Sequence, residues 1–266
     1  MKSEIFYAVA CNTGKVRNIN QDNFYCPDQQ YLNAINNGLD EVKSYKICSK
    51  DYPSFAVFDG MGGEQYGEIA ASISAKTFND LQGEKQSSDI ESFLIESCKQ
   101  MNNNITAYAK QKLVNCVGTT AAIITFGKRD VFVCNIGDSR IYRYDNKNLT
   151  QISKDHIVDI YKDKKPPLTQ FLGIPESEFI IEPHIKQEVY KNGSCYLICS
   201  DGLTDMLAEE EIESILSENN DVKVCVEILI ESAILKGGRD NITIILCKIK
   251  KRNILSNITQ RGQKYV

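Results

Sequence analysis

Short apolar runs bounded by turn-forming residues recur along the chain. Ten of them read as strands: EIFYAVA (4–10), DNFYC (22–26), SFAVFD (54–59), GTTAAIITF (118–126), DVFVCNI (130–136), RIYRY (140–144), FIIEP (179–183), KQEVYK (186–191), SCYLICS (194–200) and NITIILCKI (241–249). Neighbouring runs are often only a few residues apart, as in ITFGKRDVFV, a spacing that suits antiparallel hairpins rather than crossover connections. Helical spacing interrupts the strands in two places. Residues 65–81 form the first helix, and 88–112 a second that repeats Ile90, Phe93, Leu94, Met101, Ile105 and Tyr108 on one side. Ser88 with Glu91 three residues on predicts a capping box at its start. Later come helices over 209–216 and 222–235, the last followed by the stop signal Gly237-Gly238. Strands, two helices, many strands, two helices and one last strand make an α+β pattern, and antiparallel sheets covered by helices are its natural packing. Two stretches match no regular element: the polar Asp28–Pro53, and the charged His156–Pro167, which ends in a double proline.

No Pro/Gly/Ser-rich linker and no internal repeat divides the 266 residues, so one domain is expected over 1–250, with a basic tail over 251–266. Lys and Arg number 31 against 35 Asp and Glu, a net charge of −4 that speaks against nucleic acid as the main partner. The first residues, MKSEIFYAVACN, lack the long apolar stretch of a secretion signal, and no apolar run approaches the ~20 residues of a membrane span. The ten cysteines include no C-x-x-C pair, and Cys134, Cys199 and Cys247 sit inside apolar runs. They read as reduced thiols packed as small hydrophobes, which fits a cytoplasmic protein and gives no support to a zinc cluster.

The chemistry lies at strand ends. In FAVFDGMGG (55–63) a buried-looking strand stops at Asp59 and runs into glycines. The same event recurs at Asp138 in VFVCNIGDSR and at Asp201 in CYLICSDGLTD, while Asp22 and Asp240 open strands in NINQD and GGRDNITIILC. A single Asp-Gly is usually a turn. Five carboxylates at the ends of buried strands repel one another, and burial is costly unless each is paired or binds a cation. Only Arg140 and Arg239 stand beside them in sequence. Oxygen ligands without His or Cys favour Mg²⁺ or Mn²⁺ over Zn²⁺. Glycines let a backbone carbonyl approach an ion with no Cβ in the way.

Six stretches, in order, resemble the metal-dependent protein phosphatase 2C (PPM) family in its bacterial branch: R-N-I-N-Q-D (17–22), D-G-M-G-G (59–63) with G-E-I-A-A (67–71), G-T-T-A (118–121), G-D-S-R (137–140), S-D-G-L-T-D (200–205) and G-G-R-D-N (237–241). The resemblance implies a four-layer αββα sandwich, two antiparallel sheets flanked by helices, with two or three Mn²⁺ or Mg²⁺ ions at one end. It implies that Asp59 bridges two ions, that Gly60 lends its carbonyl, that Asp201 and Asp240 complete one shell, and that Asp22 holds the second ion through water. Asp138 would serve a third ion, shared with Asp201, and Arg17 would grip the substrate phosphate. The implied activity is hydrolysis of phosphoserine and phosphothreonine in proteins by direct attack of a water activated between two ions. The implied partners are substrates of Ser/Thr kinases, or such a kinase itself, met by a monomer.

Two departures stand out. Met61 occupies the place where animal members often carry a histidine, so no side-chain general acid is named. His156 fits a loop-structuring role as well as a substrate role. The 156–167 flap is shorter than in bacterial relatives, and the insertion 28–53 is a candidate to take over part of its contact with substrate. Retention of every motif aspartate and of Arg17 favours an enzyme over a non-catalytic binding module of the same fold. Hydrolysis of a small phosphorylated metabolite stays open, because the ions treat any phosphomonoester alike.

Overall fold

The computed structural model describes residues 3–27, 30–49, 52–61, 66–84, 89–114, 117–158 and 166–251. Two sheets carry the fold. The first runs in the order β3 (Lys43–Cys48), β1 (Ser3–Asn12), β12 (Ile242–Lys251), β11 (Cys195–Cys199), β8 (Arg140–Asp145), β9 (Asn148–Gln151). The second runs β10 (His184–Val189), β7 (Asp130–Ile136), β6 (Ala121–Phe126), β4 (Ser54–Met61), β2 (Asp22–Tyr25), with the two-residue β5 (Gly118–Thr119) pairing on β4. Every pairing is antiparallel.

The central strands are apolar on both faces because both faces are covered. On β1, Ile5, Tyr7, Val9 and Cys11 point between the sheets, where they meet Phe55 and Val57 of β4 and Ile245, Cys247 and Ile249 of β12. The alternate residues Ala8, Ala10, Ile244 and Leu246 face outward onto α4 (Glu209–Glu218) and α5 (Val222–Leu235) through Ile212, Leu216, Val226 and Leu229. On the second sheet Ala56, Phe58, Ile123 and Cys134 face α1 (Gly67–Leu81) and α2 (Ile90–Lys112), meeting Ala75, Phe78, Leu94 and Met101. Period-2 alternation thus feeds three apolar layers, and the result is the αββα sandwich.

Several expectations shift. The 118–126 run is broken at Thr120 into β5 and β6. Residues 179–183 form no strand: the Glu178 and Phe179 amides close a turn onto the Pro175 carbonyl, the Glu182 amide binds Gln170 Oε1 at 2.7 Å, and Phe179 and Ile180 are exposed. The stretch 28–53 is not wholly irregular, since β3 lies within it and pairs with β1. Half of its side chains are exposed and none is fully buried, so this edge strand carries no hydrophobic signature. The short β9 is a second unforeseen edge strand. The first helix begins at Gly67, residues 62–65 being outside the described set, as is Ser88. The described cap of α2 is Asp89, whose carboxylate accepts the Ser92 amide at 3.1 Å. Of the 156–167 flap, 159–165 lie outside the described residues, as does the tail from 252.

Candidate metal and phosphate site

The strand ends that carry the motif aspartates gather at one end of the sandwich. A cleft of about 350 Å³ there is lined by Asp59, Asp138, Asp201 and Asp240 together with Arg17, Gln21, Gly60, Met61, Thr120 and Pro166–Leu168. Asp59 and Gly60 are on β4 of the second sheet. Asp138 sits in the turn between β7 and β8. Asp201 opens the single-turn helix α3 (Asp201–Thr204) after β11, and Asp240 precedes β12. Four carboxylates therefore come from both sheets to one space, against one guanidinium.

Asp22 stands behind this wall. It is opposite Asp59 in the β2–β4 register and buried. Its Oδ2 accepts the Ser200 hydroxyl at 2.8 Å and the Thr243 hydroxyl at 2.7 Å. Both donors belong to the other sheet's strands or their ends, so this carboxylate bridges the sheets.

Two glycines are required by backbone packing. A Cβ on Gly60 would lie 2.2 Å from the Gly67 carbonyl oxygen and 2.4 Å from that of Gln21, and one on Gly202 would lie 2.0 Å from the Asn241 carbonyl oxygen. Absence of a side chain at Gly60 thus brings the start of α1 and the Gln21 backbone against the Asp59 strand, a steric role beyond the carbonyl approach expected from sequence. At Gly202 it sets the Asp201 and Asp240 segments side by side.

Arg17 does not stand apart from the carboxylates as sequence adjacency suggested. Its Nη2 donates to Asp240 Oδ2 at 2.8 Å, and this bond with the nearby Asp240, Asp59 and Asp22 charges raises its pKa further. Arg140 faces elsewhere, held by Asp155 at 2.8 Å. The loop bearing Arg17 is held by Asn241. Its Oδ1 accepts the Gln21 amide at 2.8 Å, and its Nδ2 donates to the Thr13 and Ile19 carbonyls at 2.9 and 3.0 Å. Among the described residues no three His, Cys, Asp or Glu side chains already stand close enough to form a finished metal cage.

Residues that sequence reasoning did not single out complete the setting. Thr120 Oγ1 accepts the Asp59 amide at 3.1 Å and lies 2.6 Å from Ser139 Oγ, tying the Asp59 backbone to the Asp138 turn. The Thr120 amide in turn donates to the Asp59 carbonyl at 2.9 Å. The G-T-T-A and G-D-S-R motifs carried these hydroxyls, but only the fold shows that they touch.

His156 is a structuring residue. Its buried Nδ1 accepts the Gly137 amide at 3.1 Å while its own amide donates to the Gly137 carbonyl at 2.9 Å. That pair clamps the turn before Asp138, where Gly137 has φ +97°. The ring must be neutral to accept, and burial, then the charges of His184 and Lys154, push its pKa down. Either side of the flap's undescribed part, Ile157 and Leu168 form a bridge, and the Thr169 amide donates to the His156 carbonyl at 2.8 Å, so the returning arm supplies the Pro166–Leu168 wall.

A thiol nucleophile is not poised here. Cys11, whose Sγ accepts from Asn20 and lies 3.2 Å from Thr243 Oγ1 behind the cleft, is pushed up to about 12 by burial first and the Asp22 charge second.

The model of the family described as Protein phosphatase 2C matches residues 40–223, a span that contains Asp59, Asp138 and Asp201. The serine/threonine phosphatase Stp of Listeria welshimeri is 28% identical over 253 residues, covering 88% of this chain and 94% of the relative. The catalytic domain of the serine/threonine protein phosphatase PstP, solved with two manganese ions, superposes with a TM-score of 0.74 at 25% identity, covering 93% of this chain and all of the other. The Mycobacterium tuberculosis serine/threonine phosphatase PstP/Ppp superposes with a TM-score of 0.76, also at 25% identity and 93% coverage of this chain.

Proposed function

The chain belongs to the protein phosphatase 2C family, and from that premise we propose that it hydrolyses phosphoserine and phosphothreonine in proteins, using two Mn²⁺ or Mg²⁺ ions held at the aspartate cleft. The observation that carries the reading is the convergence of Asp59, Asp138, Asp201 and Asp240 with Arg17 on one cleft. The donor set fits such ions: the charge balance is strongly negative, and every anionic group offers only oxygen.

In this reading Asp59, the Gly60 carbonyl, Asp201 and Asp240 would hold the two ions, and Asp138 with Asp201 would hold a third. Asp22, set back and fixed by two hydroxyls, acts through water. Such ions would supply a water of lowered pKa and neutralisation of charge on the phosphoryl oxygens. Arg17 binds and orients the phosphate, since its planar fork can donate two parallel hydrogen bonds and keeps its charge. Asn241 positions the loop that carries it. Thr120 holds the Asp59 backbone, and Pro166–Leu168 wall off one side of the cleft.

Substrates in this reading are products of Ser/Thr kinases, or a kinase itself, and the enzyme acts as a monomer in a reducing, cytoplasmic setting. Supporting a reducing setting, the nine described cysteines are all free.

The test is hydrolysis of p-nitrophenyl phosphate and of a phosphothreonine peptide, with and without Mn²⁺, by wild type, Asp59→Asn and Asp201→Asn. A metal-dependent rate on both substrates is expected, falling on the order of 100-fold or more in each variant. A wild type without metal-dependent hydrolysis refutes the proposal. A rate on sugar phosphates equal to that on the peptide refutes its protein-substrate part.

A further inference from the structure

Three large aliphatic side chains stand in solvent on the Arg17 loop and on the loop hydrogen-bonded to it. Val16 is 64% exposed and Ile19 52%, and they flank the arginine on its own loop. Ile35, 89% exposed, comes from the 28–53 insertion. The two loops touch: Asn20 Nδ2 donates to Asn36 Oδ1 at 2.7 Å, and Thr13 Oγ1 donates to the Asn37 carbonyl at 3.1 Å. The Leu39 amide donates to the Cys11 carbonyl at 2.7 Å, fixing the insertion beside the start of the same loop. Ile35 is thus one residue from a side chain hydrogen-bonded to the Arg17 loop.

Isolated exposed aliphatic residues need no explanation. Three of them on two interlocked loops beside a phosphate-binding arginine do. The cleft lining contributes Met61 and Pro166–Leu168 as its apolar part, and Val16, Ile19 and Ile35 lie outside that lining. An extended substrate advances about 3.3–3.6 Å per residue, so residues next to the phosphorylated one fall on the loop that carries Arg17 when the phosphate is on the guanidinium. We infer that Val16, Ile19 and Ile35 form an apolar rim that receives an aliphatic side chain flanking the phosphorylated residue of the protein substrate. The inference rests on the phosphatase reading above and adds a sequence preference to it.

Deleting the whole insertion would also remove β3, which lies within it and pairs with β1. Point changes at exposed positions are the right probe. The experiment compares kcat/KM for two phosphothreonine peptides, one with leucine on both sides of the phosphorylated residue and one with serine. Wild type, Ile35→Ser and Val16→Ser are assayed with Mn²⁺, and p-nitrophenyl phosphate serves as the small substrate.

Wild type should favour the leucine peptide by roughly 5–10-fold, less than an enclosed apolar pocket gives because the rim is open. Each variant should bring that ratio towards one, chiefly through KM, while hydrolysis of p-nitrophenyl phosphate by Ile35→Ser stays as in wild type. Equal kcat/KM on the two peptides, with p-nitrophenyl phosphate turned over normally, overturns the rim and leaves the phosphatase reading standing. Failure of wild type on all three substrates overturns both. A wild type that sediments as a dimer, dissociated by Ile35→Ser with peptide preference unmoved, assigns the rim to self-association and overturns the inference.

Discussion

Thr120 is where the geometry at Asp59 can be put to a quantitative trial. Its hydroxyl accepts the Asp59 amide and is paired with Ser139, and both hydroxyl-bearing residues are buried. Thr120→Val keeps the shape and the stiff β-branch and deletes only the oxygen. The Asp59 amide and the Ser139 hydroxyl then lose that partner. Each such loss costs about 1–3 kcal/mol when the group stays buried. The Ser139 hydroxyl can rotate in search of another acceptor, so the pair together should cost about 2–4 kcal/mol. For a domain of this size each kcal/mol lowers Tm by about 2–4 °C, so a fall of roughly 5–15 °C is expected. Thr120→Ser retains the hydrogen bonds and loses one methyl, a cost of about 1 kcal/mol. Thermal melts followed by circular dichroism, run in chelator so that metal affinity does not enter, give the order wild type, Ser, Val. Activity with Mn²⁺ should drop about tenfold in the valine variant, as for other losses of a group that orients a ligand. A valine variant melting within 2 °C of wild type, or above the serine variant, would refute the reasoning.

Other outcomes follow from the same site. His156 must be neutral to accept the Gly137 amide, and its folded pKa lies below the ordinary 6.5. The stability it contributes is therefore complete above about pH 6.5 and is lost as pH falls through the lowered folded value. Urea midpoints should decline below that pH and decline less steeply in His156→Gln, with His184, also shifted down, supplying the remainder; identical slopes would exclude the role. Gly202→Ala drives a Cβ to 2.0 Å from the Asn241 carbonyl oxygen and should cost about 3 kcal/mol or more, whereas Gly193→Ala, with open space around it and only a φ of +90° to strain, should cost about 1–2 kcal/mol. Comparable chemical denaturation curves for the two would contradict the packing argument. Arg17→Lys should raise KM for a phosphopeptide roughly tenfold while moving stability by less than about 1 kcal/mol, because the Arg17–Asp240 pair is partly exposed. An unchanged KM would remove Arg17 from phosphate binding.

Much of this architecture was legible because burial writes itself into sequence. The doubly covered strands β4, β6, β7, β11 and β12 are apolar runs, and α2 and α5 show their buried side or their closing glycines. The misses share a cause. β3 and β9 lie at the sheet edges and hold no fully buried side chain, so pairing there leaves no hydrophobic trace. FIIEP had the composition of a strand, but its backbone is engaged by Pro175 and Gln170. At the site the aspartates were legible as strand-end carboxylates next to glycine. Their supports were not, since Arg17 with Asp240, Asn241 with Thr13, and Asp22 with Thr243 are each more than 200 residues apart. The glycines were visible, but the carbonyls they make room for come from distant segments and appear only once the chain is folded.

The position of Asp22 has a mechanical meaning. It belongs to one leaf of the sandwich and is gripped by hydroxyls from the other, at the end where the chemistry is gathered. That carboxylate works as a clasp, so sliding one leaf past the other must first open it. Cations seated among Asp59, Asp201 and Asp240 would fasten the same two leaves at a second point. Filling the cleft should therefore stiffen the whole slab, and slower amide exchange on β2 and β12 would register it.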